Sequence, residues 1–531
     1  MFGNEQIIMT PKGKTTSSTT ILVERRQKSS VEKHKNAHVG GGQHSGIIIN
    51  KDFATGKSMY DEEEQARTAQ DFFKELVAPL EFPRDYVGFI KKIMKMMQLK
   101  YSQIRKIEIE LRQLSESEHL PERPCEEANE TLSEEKLLEI IESAYPNPIM
   151  IKDVSKRWSA SSEDVELFTA SLTDKGLIKT LAPGCYTRVV QNETDVQIVK
   201  QMPTISSNKQ PTIAIITAQY AEKLAVDTMI ENQETFVRYT TVGESNVYTL
   251  GNIGAHRVVC TKLPQVGHDR SAAIAAGNTT TRLLGTFQKV DHVFLVGVAG
   301  GVPHFTDYNK HVRLGDVIVS SPSDGGKYIY MYCDGAKRTD DGAYKFETKS
   351  WGPSNLILQT LAQQLKEMGE EGESSKPWLT YIEEAKHKLL SQDIEFIRPD
   401  NETDKLYMSI GGSDVIQVSH PLPPEGIDNV RRDGEPRIHL GPIASGRAVI
   451  SNEQTRQEFA NKLSVLAFDR EFDAVIESVY GNRKDHYTLV RGICDYRDGT
   501  RGREWQPIAA LAAAAFTKSI ICALDPPADD E

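Results

Sequence analysis

The chain has 531 residues, enough for two to four domains at roughly 100–200 residues each. Hydrophobic residues make up 39%, which provides for a sizeable core and excludes wholesale disorder. Asp and Glu outnumber Lys and Arg by 75 to 63, a net charge of −12, which argues against a general nucleic-acid-wrapping surface.

No run approaches the ~20 apolar residues needed to span a bilayer. The opening MFGNEQIIMT lacks the apolar stretch of a secretory signal. Six Cys are scattered without a C-x-x-C pair, against both a disulfide framework and a zinc ribbon. The expectation is a soluble protein of the cytoplasm, with the nucleus as the alternative, and no membrane contact.

Residues 1–58 are rich in Ser, Thr, Gly and Lys and carry nine Lys and Arg against four Asp and Glu. They read as a disordered basic tail. Residues 60–115 read as helical: from Tyr86 through Ile90, Ile93, Met97, Ile104, Ile107, Leu111 and Leu114, apolar positions recur mostly every three or four. This segment is expected to pack on a neighbour, and a protein partner for the N-terminal region stays open.

Residues 132–190 read as a compact unit. Ser133 before Glu134 and Glu135 starts one helix, Ile151–Val154 opens a second, and Ser161 before Ser162-Glu163-Asp164 caps a third. Two short strands follow, turning at Pro183-Gly184. The pattern resembles a winged helix-turn-helix, a small α+β domain. Its third helix carries Glu163, Asp164 and Glu166, a face that would repel phosphates. Nucleic acid is therefore not the expected partner.

From Pro211 to about residue 526, strand-like apolar runs alternate with helical ones, the pattern of an α/β domain. Strands are expected at Thr212–Ile216, His256–Leu263, His292–Val298, Asp316–Ser321, His439–Ala444, Val465–Phe468 and Tyr487–Ile493. Helices are expected near 219–232, 271–285, 355–368, 453–463, 470–482 and 504–524. Residues 369–435 are polar, contain Pro-Leu-Pro-Pro at 421–424, and read as an insertion.

No P-loop, no H-E-x-x-H and no His/Cys cluster with ligand spacing is present, so neither a metal nor a cofactor is expected. Gly297-Val298-Ala299-Gly300-Gly301 follows a buried-strand pattern, suited to close approach of backbone to a ligand. Glu222 falls just past the first strand and Asp495 at the end of the last. Sites in α/β sheets form outside the carboxyl ends of strands, where two carboxylates serve as acid and base. The same two residues also fit helix or turn caps.

Taken in order, IAIITAQYAE (213–222), VFLVGVAGGVP (293–303) with LGDVIVS (314–320), IASGRAVI (443–450), AFDREFDAV (467–475) and LVRGICDY (489–496) followed by EWQPIAALAAAA (504–515) resemble the nucleoside phosphorylase and nucleosidase superfamily, which includes the methylthioadenosine/S-adenosylhomocysteine nucleosidases. The resemblance implies a three-layer α/β domain with a mixed central sheet, forming homo-oligomers. It implies an N-ribohydrolase that cleaves the N-glycosidic bond of a purine nucleoside or nucleotide. Asp495 would protonate the leaving base and Glu222 would activate water. Gly297, Ala299 and Gly300 would line the ribose and nucleophile positions. Val449 and Ile450 would hold the base, and Glu471 the ribose hydroxyls, with Glu477 an alternative on the same helix.

Phosphorylases of this fold bind phosphate through an Arg and a Ser at positions held here by Leu295 and Val298, so the resemblance favours water over phosphate. Arg470 stands where the family has Met, and Arg497, Arg501 and Arg503 follow the acid. They would suit a 5′-phosphorylated substrate or simply pair with surface acids. A phosphorylase and a non-catalytic nucleoside sensor, signalling through the winged-helix-like region, are the alternatives.

Overall fold

The structure is a computed structural model. It describes residues 6–14, 18–26, 35–41, 45–51, 68, 71–76, 86–102, 104, 106–112, 132–158, 160–189, 196–199, 202–203, 205–206, 209–238, 245–264, 270–339, 344–371, 376–411, 414–423, 431–450, 452–470, 472–497, 499 and 502–527. Two compact units emerge. One comprises residues 1–128, 303–311 and 401–427, the other residues 129–302, 312–400 and 428–531.

The segment read as a structureless tail supplies four strands, Gln6–Lys14, Ser18–Arg26, Lys35–Gly41 and Ser45–Lys51. Within its Ser/Thr/Gly composition lie β-branched-rich runs, Thr19-Thr20-Ile21 and Ile47-Ile48-Ile49, which favour extended chain. The helix beyond Pro83 runs only from Tyr86 to Leu99. Residues Lys106–Arg112 form a strand instead, because KIEIELR alternates apolar and polar with period two. That strand sits in the middle of a five-stranded antiparallel sheet, between Ser18–Arg26 and Ser45–Lys51. Residues 401–427 add a hairpin of Leu406–Gly411 and Asp414–Val418.

The second unit begins with the winged helix. Helices Glu134–Ala144, Ile151–Trp158 and Ser162–Asp174 precede strands Ile178–Ala182 and Cys185–Arg188. Ser133 and Ser161 each accept a backbone N–H three residues on, from Lys136 and Asp164, as their sequence positions require. Leu137, Ile141, Val154, Val165, Leu172 and Ile178 are buried together as its core. A short strand, Ile149–Met150, adds a third ribbon to the wing. Glu163, Asp164 and Glu166 are exposed on the third helix.

The α/β part is built on a large mixed sheet. At its centre Ile213–Thr217 lies parallel to both His256–Lys262 and His292–Gly301, and His292–Gly301 lies parallel to His486–Asp495. These strands are buried on both faces, which explains their continuous apolar runs. Helix Gln506–Cys522, with its Ala-rich run, packs across them, and its residues Ile508 through Ile521 are buried. Small side chains let backbone approach backbone: a Cβ on Gly492 would lie 1.9 Å from the carbonyl oxygen of Ala509.

Sequence periodicity missed five strands of this sheet, Val196–Ile198, Glu231–Arg238, Asn246–Ile253, Tyr330–Arg338 and Tyr344–Trp351. They are polar or irregular in pattern and lie towards the two ends of the strand order. The stretch 369–435 is not a single insertion. Helix Pro377–Leu389 buries Trp378, Ile382, Ala385 and Leu389 in the main core, whereas residues 401–427 belong to the first unit.

The winged helix is joined to the α/β part by buried polar contacts. Lys262, at the end of its strand, is fully buried and donates to the carbonyls of Ser143 (2.7 Å), Tyr145 (3.0 Å) and Leu263 (3.0 Å). Burial pulls its amine down to about 7, with Glu222 and Glu142 opposing. Arg188 ends the wing, bonding Glu142 (2.9 Å) and Asp393 and covering the Tyr220 ring. Burial pushes Glu142 up to about 7 against the pull of Arg188. Tyr145 meets Tyr220 edge-on at 5.8 Å, and the Ser245 amide donates to Asn147 at 3.0 Å.

Candidate active site

Glu222 lies in the first turn of helix Tyr220–Met229, directly after the central strand Ile213–Thr217. Its Oε2 accepts the amides of Ala218 (2.7 Å) and Gln219 (2.8 Å), and its Oε1 accepts that of Val298 (2.9 Å). The capping role open at the sequence level is thus present, as a capping box with Gln219. A carboxylate offers about four acceptor positions. These three bonds leave one, on Oε1.

That oxygen faces Gly297. A Cβ there would lie 2.5 Å from it, so the glycine-rich turn holds space that any side chain would fill. Gly297→Ala is expected to displace the Glu222 carboxylate and cut any Glu222-dependent activity at least ~10-fold. An unchanged rate with unchanged thermal stability would show that Oε1 plays no part.

Asp495 closes strand His486–Asp495 and pairs in register with Gly300, across from the Val298 amide that Glu222 engages. Both carboxylates therefore come to the carboxyl end of strand His292–Gly301, from its two neighbouring strands. Asp495 Oδ1 accepts the amides of Arg497 (2.9 Å) and Gly499 (3.0 Å), which folds the following turn over the glycines. Gly499 has φ +80°, and a Cβ on it would meet the Cα of Ala299 at 2.9 Å. Asp495 is 8% exposed and Glu222 4%.

The remaining expected residues fall less evenly. Gly297 lies against the Glu222 carboxylate, and Ala299 and Gly300 pair with Ile493 and Asp495 of the neighbouring strand. Ile450 is 4% exposed and Val449 wholly buried, within a small core that includes Phe459 and Phe468. Val449 thus offers no surface to a base, because its helix, Arg447–Ile450, turns it inward. Glu471 and Arg501 lie outside the described residues. Arg503 pairs with Glu139 at 2.9 Å, the surface-pairing alternative open for it in the sequence. Leu295 and Val298 are buried and apolar, so no anion-binding side chain comes from those positions.

Sequence reasoning missed a buried ion pair beside this site. Asp469 and Arg491 are each 1% exposed and bond at 2.5 Å. Arg491 is the register partner of Gly297, donates to the Leu295 carbonyl at 3.0 Å and packs on the Phe472 ring. Among the described residues its Nη2 finds no hydrogen-bond partner. Burial pushes Asp469 up to about 6, with Arg491 opposing and the Glu222 charge adding to the rise. The signal was an Arg inside the apolar run Leu489–Cys494, a position where a charge demands a partner.

The fold and its site thus define a mixed α/β module carrying two strand-end carboxylates, preceded by a winged helix. Residues 124–190 match the model of the winged helix-turn-helix domain family. A nucleotide-binding leucine-rich repeat (NLR)-like protein of Hyaloscypha variabilis is 28% identical over 297 residues, 54% of this chain and 26% of that protein. The chain thus spans about a quarter of the length of the curated relative it matches.

Among solved structures, the 5′-methylthioadenosine/S-adenosylhomocysteine nucleosidase of Neisseria meningitidis, in complex with methylthio-immucillin-A, is 16% identical. That match covers 59% of this chain and 100% of that one, with a TM-score of 0.36. The futalosine hydrolase of Helicobacter pylori is 15% identical over 59% of this chain and 98% of that one, with a TM-score of 0.34. Among the described residues no helix is long and apolar enough to cross a membrane.

Proposed function

We propose that the α/β part of this chain hydrolyses the N-glycosidic bond of a purine nucleoside or nucleotide. Asp495 donates a proton to the leaving base and Glu222 activates the attacking water. The observation that carries this reading is the approach of Glu222 and Asp495 to one glycine-lined strand end from opposite sides. The remaining acceptor position of Glu222 Oε1, beside Gly297, suits a water that is to lose a proton. Buried apolar side chains at 295 and 298 favour water over phosphate as nucleophile.

A second reading is a nucleoside sensor without turnover. The use of Glu222 as a helix cap and the burial of Val449 favour it, as does the description of the Hyaloscypha relative as an NLR-like protein. Incubating the full chain with adenosine, inosine, methylthioadenosine and ATP, with and without phosphate, separates the readings. Free base without phosphate is expected. Base released only with phosphate indicates phosphorolysis, and tight binding without release indicates the sensor. Neither release nor binding would end the nucleoside reading.

A further inference from the structure

Spacing along the sequence showed no metal-ligand cluster, because His486 lies 195 positions beyond Asp291. Asp291 immediately precedes strand His292–Gly301, and His486 opens strand His486–Asp495. The strands are parallel neighbours, and His292 and His486 are register partners. Their side chains therefore leave the sheet on the same face. The rings lie 4.9 Å apart, inclined by only 20°.

Both Nδ1 atoms face one carboxylate oxygen: Asp291 Oδ2 is 3.1 Å from His486 Nδ1 and 3.8 Å from His292 Nδ1. All three donor atoms lie within 4.8 Å of one another. No Lys or Arg pairs with this carboxylate among the described residues. The amine of Lys484 donates to the Val290 carbonyl. The backbone beneath is fixed, with the amides of Asp291 (2.8 Å) and His292 (3.2 Å) both donating to the Thr212 carbonyl.

We propose that Asp291, His292 and His486 bind one divalent transition-metal ion, zinc in preference to magnesium or calcium. Two imidazoles and a carboxylate are donors of intermediate softness, the set that zinc takes at about 2.0–2.2 Å. Donors around a tetrahedral ion sit roughly 3.3 Å apart, so side-chain rotation of about 1 Å closes the site. Asp291 is 61% exposed and the imidazoles 19% and 23%, which leaves the outer position to water. The ion would tie together, at their amino ends, the two strands whose carboxyl ends flank the candidate active site.

The test uses the full chain, dialysed against a chelator and titrated calorimetrically with ZnCl2. Co²⁺ serves as a second probe, for the visible bands of tetrahedral coordination. One zinc per chain is expected, with affinity falling at least ~10-fold in His292→Gln and in His486→Gln. The thermal midpoint should rise with zinc in the parent only. The variants' zinc-free midpoints report whether they fold. Binding unaffected by both substitutions would place the ion elsewhere and overturn the proposal, as would no binding at micromolar zinc. Neither readout depends on nucleoside turnover, so this site stands or falls apart from the proposed activity.

Discussion

Replacing Asp495 with Asn is expected to slow release of the free base by a factor of about 100–10,000, with substrate binding retained. The amide keeps an oxygen where Oδ1 accepts the Arg497 and Gly499 amides, so the turn over the glycines is preserved. What it loses is a proton that can pass to the departing purine. A neutral leaving base is the main gain an acid provides in such a cleavage. Single-turnover base release and calorimetric binding on the same preparation make the measurement. Normal turnover in the variant would remove Asp495 from the chemistry.

Arg491→Met is expected to destabilise the protein by about 3–5 kcal/mol, the cost of leaving one partner of a buried ion pair uncompensated. The sign of the pH dependence follows from Asp469. Burial already raises its carboxyl to about 6, and without Arg491 it rises further. A group whose folded pKa lies above its unfolded value contributes most at low pH, and that contribution is lost as pH climbs to the folded value. The deficit in thermal midpoint against the parent should therefore be larger at pH 8 than at pH 5. Equal deficits at both would show that Asp469 is not the group left exposed to the loss.

The buried strands were legible in the sequence because a strand covered on both faces must be apolar throughout. Ile213–Thr217, His292–Gly301 and His486–Asp495 all announce themselves in this way. The winged-helix elements were legible because Ser133 and Ser161 are strong caps at the right intervals. Glu222 and Asp495 could be singled out because both sit where such strands end.

What stayed hidden depends on contacts between distant positions. Nothing local in Asp469 or Lys262 reveals which charge or carbonyl it meets. Val449 looked available until its short helix turned it inward. The strand Lys106–Arg112 was taken into a helix because Ile104, Ile107 and Leu111 satisfy a three-to-four spacing while Ile107, Ile109 and Leu111 satisfy a spacing of two. Register with Ser18–Arg26 and Ser45–Lys51 decided between them.

Lys262 carries a consequence for how this protein can be divided. Its amine belongs by sequence to the sheet and by hydrogen bonding to the helix end at Ser143 and Tyr145. A cut between the winged helix and the sheet would remove two of its three acceptors and leave water to replace them. The end of helix Glu134–Ala144 and the strand end at Lys262 are thus held as one packed piece.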